Sequence, residues 1–274
     1  MTVSTGAPPA PQFVLAEDEL HVLATRLGVQ ALPLVLDLRP RHPTETARAE
    51  AADRATQSLA ERGLIVAGEV SAEVAELVQS LQRPERELAM RLVTPDGLAR
   101  VTVVRSGTQC ISACRVGREI TLHMVADGAG LPSASRALLR QLPASAAAEI
   151  SPVGGPLSEV SQALSDTHDA TVLSDRIRAL GADARSAMML GSALAARLAF
   201  AEIVYYALDE DAGRISRSAG AAGVFYTKRG RLVGAPSASP SGQLWTTLKP
   251  GSDHTIKQAI GQLVELSSYR WGDR

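Results

Sequence analysis

This 274-residue chain has few aromatic side chains and almost no net charge. Phe, Trp and Tyr together make up 3% of the residues, and the formal net charge at pH 7 is −1. Nucleic-acid backbones and anionic membranes are bound by clustered basic residues, and single-stranded nucleic acids also by stacked aromatic rings. The composition therefore predicts no nucleic-acid partner and no anionic membrane surface. Because 45% of the residues are hydrophobic, the chain can form a sizeable core.

Signatures of catalysis and of nucleotide binding are absent as well. The sequence contains no G-x-S-x-G, G-x-x-x-x-G-K-[ST], H-E-x-x-H, C-x-x-C or G-x-G-x-x-G. Asp209, Glu210 and Asp211 form a group of three acids, but their polar flanks favour a solvated turn over a metal cradle. We therefore expect no catalytic residue, no metal site and no cofactor.

Cysteine is rare too, with only Cys110 and Cys114 in the chain. Both fall in a predicted strand, where a rise of roughly 3.3 Å per residue separates their Cα atoms by about 13 Å. A disulfide requires Cα atoms within roughly 7 Å, so both should be free thiols. The histidines are not spaced along the sequence like metal ligands that could join these cysteines. Free packing cysteines are typical of a reducing compartment, and we expect a cytoplasmic protein.

Long hydrophobic runs are also missing. Residues 1–12 are rich in Ser, Thr, Pro and Ala and lack the apolar core of a signal peptide, so we expect a disordered tail. Residues 187–208 are the most apolar stretch, but Arg197 and Glu202 would each cost about 2.5 to 3.5 kcal/mol near the middle of a bilayer. A helix leading into a buried strand is the better interpretation, and no stable membrane insertion is expected.

What the sequence does contain is a complete unit of strands and closing helix in residues 223–266. Two apolar runs flank Arg229 and Gly230, and glycine can adopt the positive φ of a tight hairpin. After a further short strand, Ser252 is a candidate N-cap. The helix that follows has one apolar stripe, formed by Ile256, Ala259, Ile260, Leu263 and Val264.

This unit has an earlier counterpart in residues 92–142. Gly107 and Gly117 recur at the same spacing as Gly220 and Gly230, and each set belongs to a run of hairpins that ends in a helix. Chance could produce two glycine matches, but the repeated order favours a duplicated half. If the matched glycines are equivalent, Gly117 should superpose on Gly230.

These patterns predict an α+β fold of two pseudo-symmetric halves. Each half would be an antiparallel β-meander with flanking helices, and the two would join around a central sheet, because the connection near residues 144–156 is short and not strongly polar. We place the N-terminal half at residues 13–150 and the C-terminal half at residues 151–274, within a single domain. A short strand is predicted at residues 34–38.

Several stretches resemble one known family. ELHVLATRLGVQALPLVLDLRP and RPERELAMRL in the first half, and ALGADARSAMML, FAEIVYYAL, GVFYTKRGRLV and LWTTLKPGSDHTIKQAIGQLVEL in the second, are similar to the EspG family of the ESX (type VII) secretion systems. The resemblance covers most of the chain and rests on extended pattern, since none of these stretches is a catalytic signature.

The resemblance implies a cytoplasmic, non-enzymatic chaperone of actinobacterial secretion. Such a protein binds the hydrophobic tip of the PPE protein in a PE–PPE heterodimer, keeps it soluble and directs it to its own ESX system. In that family the second-half helical bundle and a hairpin of the sheet take part in binding. Here they correspond to residues 173–194 and 94–105, and the hairpin is short.

Candidate partner-binding residues lie in these two regions. Met188 and Met189 supply adaptable apolar surface, although core packing would also explain them. The hairpin could present a mixed apolar and basic rim, or be an ordinary solvent-facing turn. The full candidate set is Leu98, Arg100, Arg105, Leu173, Ile177, Met188, Met189 and Leu194.

The competing interpretation is an α+β enzyme or small-molecule-binding domain with a pocket between the halves. It would require convergent polar residues in a concave site. The sequence leaves open which ESX system and PPE protein apply, and whether the free protein is a monomer or a weak homodimer.

The cysteine spacing generates a direct prediction. If Cys110 and Cys114 are free thiols, adding a reductant should leave the midpoint of thermal unfolding unchanged. A lower midpoint in reductant would contradict this and would show that a disulfide contributes to stability.

Overall fold

The computed structural model describes residues 11–39, 41–209 and 211–273 of the chain. Residues 1–10 of the predicted tail, and Glu210 of the acidic group, lie outside the described residues. The helices are α1 (Glu17–Arg26), α2 (Glu45–Glu61), α3 (Ala72–Ser80), α4 (Leu131–Leu139), α5 (Leu157–Leu164), α6 (Ala170–Ala179), α7 (Ala184–Ala195) and α8 (Asp253–Glu265).

Thirteen strands accompany these helices in the described part of the chain. They are β1 (Gln12–Ala16), β2 (Ile65–Val66), β3 (Glu69–Val70), β4 (Arg86–Thr94), β5 (Gly97–Ser106), β6 (Gln109–Val116), β7 (Glu119–Met124), β8 (Val153–Pro156), β9 (Ala199–Asp209), β10 (Arg214–Arg217), β11 (Ala222–Thr227), β12 (Gly230–Ala238) and β13 (Leu244–Pro250). None of the helices within these described residues has the length and apolar character needed to cross a membrane.

One large antiparallel sheet runs through the whole molecule, in the order β1-β7-β6-β5-β4-β9-β11-β12-β13-β8, with β10 also paired to β9. Its centre is the pair β4 and β9, where Met90 lies opposite Ile203. The strands of each half extend outward from this pair. The predicted α+β fold with two meanders joined in one sheet is confirmed. The sequence prediction missed the outer strands β1 and β8.

The glycine equivalence was wrong. Gly117 lies in the turn between β6 and β7, which is the third hairpin of the first meander. Gly230 is the first residue of β12 and follows the β11–β12 turn, which corresponds to the second hairpin. The reason is that both β10 and β11 pair with β9, so they act as one interrupted counterpart of β5. The interruption adds residues to the second half without adding a strand to its order. Two glycines at the same residue spacing in the two halves therefore fall at different places in the meanders.

One face of the sheet is covered by α4 and α8. The stripe on α8 is buried as predicted, and it packs with Leu138 of α4 on apolar residues of the central strands such as Met90 and Ile203. Ser252 accepts a hydrogen bond from the Thr255 amide at 3.1 Å, which confirms the N-cap. This shared core ties the two halves together on that face.

The opposite face carries two separate helical groups. The N-terminal bundle of α1, α2 and α3 packs over the strands of the first half, and the C-terminal bundle of α5, α6 and α7 packs over those of the second. The strand predicted at residues 34–38 is instead a 3-10 helix, Leu34–Leu36, because Leu36 and Asp37 donate backbone hydrogen bonds back to Pro33 and Leu34. The central strands lie between the two bundles.

The end of the chain is fastened to the sheet by two buried arginines. Arg86 donates to the Arg270 carbonyl at 2.8 Å. Arg105 donates to the Trp271 carbonyl and also forms an ion pair with the Glu85 carboxylate at 2.7 Å. Trp271 is 3% exposed and donates its indole N–H to Ala129. Arg105 was predicted to lie on a binding rim, and this was wrong, since the chain end covers it.

Cys110 and Cys114 are free thiols, as predicted. They lie four residues apart on the same face of β6, and Cys110 is fully buried. Burial raises the pKa of the Cys110 thiol to about 11. The thiols are therefore protonated packing groups at neutral pH.

Removing the anchoring tryptophan should destabilise the fold strongly. Trp271→Ala is expected to lower the free energy of unfolding by about 3 to 5 kcal/mol, because it leaves a cavity beside Tyr205 and an unpaired Ala129 carbonyl. Denaturant unfolding measures this. Ile215→Ala, at a residue that is 53% exposed, is the control and should change stability by less than about 0.5 kcal/mol. Equal effects of the two variants would contradict the anchoring role.

Candidate functional site

A row of apolar side chains crosses the uncovered centre of the sheet. Leu98, Val93, Phe200 and Phe225 are successive register partners on β5, β4, β9 and β11. They share a face because cross-strand partners point to the same side of a sheet. The rings of Phe200 and Phe225 lie 4.9 Å apart between centroids. We call these four residues the apolar row.

The apolar row is only partly covered. Val93 is 51% exposed and Leu98 38%, while Phe225 packs against the core of the C-terminal bundle. Large apolar side chains on an open sheet face are unfavourable in water unless something covers them. Two further exposed residues border the same strip: Leu198, immediately before β9, and Leu34 of the 3-10 helix, at 52% and 90% exposure.

A charged row lies next to the apolar row on the same face. Arg100, Arg91 and Glu202 are register partners across β5, β4 and β9. Arg100 is held by the Asp37 carboxylate at 2.8 Å and the Val35 carbonyl at 3.3 Å, so it is attached to the N-terminal bundle. Two like charges directly opposite each other on neighbouring strands repel. The Asp37 carboxylate already compensates Arg100, so Arg91, which is exposed and has Glu202 on its other side, is the guanidinium that an acidic group of a partner could still approach.

A groove of about 250 Å³ runs along the charged row beside the 3-10 helix. Its lining combines Leu34 and Val35 from the 3-10 helix with residues of β4, β5, β9 and β10. The residues from these strands are Ala89, Arg91, Arg100, Glu202, Val204, Tyr206 and Arg217. Both halves therefore contribute to one surface.

Beyond the charged row, the same face carries a buried acid. Glu87 is 7% exposed and accepts a hydrogen bond from the Thr102 hydroxyl at 2.8 Å. Burial raises the pKa of this carboxyl to about 7, and the Thr102 hydrogen bond opposes the rise. Glu87 therefore titrates near neutral pH inside the central sheet.

Helix α7 presents the second apolar element. Asp183 caps it by accepting from the Ser186 amide at 3.0 Å, and Gly191 lets α6 approach so closely that an added Cβ would lie 2.7 Å from the Ser174 amide nitrogen. With α7 held in this way, Met188 points outward at 61% exposure. Met189 is half-buried beside Ile150 and Ser151.

The structure separates the candidate binding residues into two groups. Leu98, Met188 and Met189 reach the surface, and Arg100 is partly accessible beside the groove. Leu173, Ile177 and Leu194 are at most 2% exposed, because the C-terminal bundle packs around them. Sequence reasoning missed Leu34, Val93, Leu198 and Phe200, since periodicity cannot show which sheet face stays uncovered.

The part of the chain that the structure describes contains no group of side chains suited to bind a metal ion. No three His, Cys, Asp or Glu side chains there are close enough together to hold an ion. The groove between the halves is lined by guanidinium groups, one phenol and one carboxylate, Glu202. Its apolar border and open shape suit a contact surface.

This architecture is shared with a known class of proteins. The fold matches the structure of the Mycobacterium tuberculosis type VII secretion system chaperone EspG5 in complex with the PE25–PPE41 dimer, with a TM-score of 0.79 and 20% sequence identity. The match covers 95% of this chain and 98% of the other.

The sequence profile of the EspG family matches residues 16–262. The chain therefore belongs to the EspG family, and the resemblance seen in its sequence is confirmed. It is 28% identical to the ESX-1 secretion-associated protein EspG1 of Mycobacterium tuberculosis over 91% of this chain and 85% of that protein. It is 27% identical to EspG1 of Mycobacterium marinum, over 94% and 89% respectively.

The buried acid under the groove should make stability depend on pH. Its folded pKa of about 7 lies above the ordinary value of 4.5, so the folded state holds its proton more tightly, and stability falls as pH rises from about 4.5 to 7. Glu87→Gln keeps the acceptor for Thr102 and removes the charge. We expect it to be more stable than the parent protein by about 3 kcal/mol at pH 8 and nearly equal at pH 4.5.

The measurement is denaturant unfolding across this pH range. Glu202→Gln, on the same face at 35% side-chain exposure, is the matched control and should keep the pH dependence of the parent protein, because it retains Glu87. A constant difference between Glu87→Gln and the parent protein at all pH values would contradict a neutral-range titration of Glu87.

Proposed function

We propose that this protein is a cytoplasmic secretion chaperone without enzymatic activity. It binds the hydrophobic tip of the PPE protein in a PE–PPE heterodimer, keeps the heterodimer soluble and directs it to a type VII (ESX) secretion system. Family membership supports the chaperone role, and the protonated, unpaired thiols suit a reducing compartment.

The observation that carries this proposal is the uncovered apolar row between the two bundles. The row has the arrangement of an interface core, because exposed apolar side chains at its centre are bordered by charged residues. Met188 on α7 and Leu34 on the 3-10 helix are exposed apolar residues contributed by the flanking bundles. A hydrophobic tip that contacts the apolar row and these two residues would remove apolar surface of both partners from water.

The charged row would favour one orientation of the bound partner. Arg91 and Arg100 lie opposite each other on one side of the sheet centre, and Glu202 lies on the other side of Arg91. A partner that places an acidic side chain near Arg91, which is exposed while Arg100 is already paired with Asp37, would gain an ion pair there. Such complementarity contributes more to selectivity and orientation than to affinity.

The alternative, an enzyme with a pocket between the halves, has less support. A catalytic site needs a nucleophile or base and an enclosing pocket. Among the described residues that line the central groove, Tyr206 and Glu202 are the only acid–base candidates besides arginine. No observation favours a specific reaction.

The exposed methionine provides the test of the binding surface. Met188→Asp should weaken binding to a purified PE–PPE pair at least about 30-fold, since a desolvated apolar anchor is worth about 2 kcal/mol or more. Met189→Asp should have a smaller effect on binding, because Met189 is half-buried. Isothermal titration calorimetry measures both affinities.

The matched control is Val66→Asp. Val66 is also 61% exposed but lies in the β2–β3 hairpin of the first half. Its affinity should stay within about twofold of the parent protein. Unchanged affinity of folded Met188→Asp and Met189→Asp variants would remove α7 from the interface and leave the sheet as the candidate surface.

A further inference from the structure

A second concave site lies away from the sheet, between α1 and α2. It is a cleft of about 370 Å³. One wall is formed by one face of α1, including His21, Val22 and Arg26, and the other by Arg48, Ala52 and Thr56 of α2. Arg39, Arg41 and His42, which lie between the 3-10 helix and α2 in the sequence, also line the cleft. We call this the cationic cleft.

The charges around the cationic cleft are unbalanced. Four arginines line it, and Asp18 is its only carboxylate among the described lining residues. Asp18 is already hydrogen-bonded by His42 at 3.0 Å. Arg41 and Arg39 are paired with Glu17 and Asp37 outside the lining.

Arg26 and Arg48 lack this compensation. Arg26 donates to the neutral Gly68 carbonyl at 3.0 Å, and no carboxylate of the described residues lies within ion-pair distance of Arg26 or Arg48. Two guanidinium groups on facing helices can together neutralise a doubly charged anion. Guanidinium geometry also suits phosphate oxygens, to which it donates two parallel hydrogen bonds.

The cleft also has an apolar part. Its lining includes Val22, which is buried, and Ala52, which is half-buried, together with Thr25 and Thr56. A fully hydrated inorganic ion would leave this apolar lining uncovered. An anion with an apolar body would cover it, and a volume of about 370 Å³ is at the small end of the range typical of small-molecule sites.

We infer that the cationic cleft binds a small phosphate monoester with an apolar body, its phosphate held between Arg26 and Arg48. This site is separate from the partner surface, because it is built from α1, α2 and their connection and shares no residue with the central groove. The inference therefore does not depend on the proposed chaperone function.

The test is an NMR titration of the full chain with phenyl phosphate at pH 7.5, where the phosphate carries close to two charges. We expect saturable amide shifts confined to residues 18–26 and 41–56, with a dissociation constant of about 1 mM or tighter. Phenol and inorganic phosphate should each bind at least about tenfold more weakly, because each supplies only one half of the required chemistry.

Variants locate the site. Arg48→Gln and Arg26→Gln should each weaken phenyl phosphate binding about tenfold. Arg54→Gln is the matched control, because Arg54 is on the same helix, 70% exposed and outside the cleft lining, and it should bind like the parent protein. Since all three arginines are exposed at the surface, the variants are expected to fold, and circular dichroism checks this.

Four outcomes would overturn the inference. The first is shifts that do not saturate at about 20 mM phenyl phosphate, and the second is shifts that map outside the cleft. The third is equal binding of inorganic phosphate, and the fourth is equal loss of binding in Arg48→Gln and Arg54→Gln. Either of these last two would indicate general charge attraction in place of a formed site.

Discussion

The antiparallel pairing of β4 with β9 is the interaction on which the rest of the structure depends. It joins the two meanders along eight register pairs, from Arg86 opposite Ala207 to Val93 opposite Phe200. Because side chains alternate along a strand, this register sends Met90 and Ile203 into the core under α4 and α8. It sends Val93 and Phe200 to the opposite face. A shift by one residue would reverse both surfaces.

The helices leave the centre of the opposite face uncovered. Each bundle packs on its own half of the sheet, so the strip where the halves meet keeps apolar and charged rows accessible. Rigid strands fix the spacing of these rows, whereas α7 and the 3-10 helix border them. The surface therefore exists only in the fused sheet, and neither half would present it alone.

Local patterns in the sequence were sufficient for helix α8, for the hairpins at residues 94–105 and at Arg229 and Gly230, and for the α+β class. The α8 stripe, the Ser252 cap and the hairpin at Gly230 all depend on neighbouring residues. Strands β1 and β8 were missed because they are short, β8 is half glycine, and both are defined by partners distant in the sequence. The same limit applies to the site: whether Leu173 or Met188 is exposed, and what covers Arg105, depends on packing between distant segments.

If the partner lies along the uncovered strip, site-specific photo-crosslinking should detect it there. A photoreactive residue would replace Leu34 or Leu198, which border the strip, or Val66, which is similarly exposed elsewhere. With a purified PE–PPE pair, we expect crosslinks to the PPE protein from positions 34 and 198 and none from position 66. Crosslinks from position 66 alone would contradict this and would place the partner on the outer side of the N-terminal bundle.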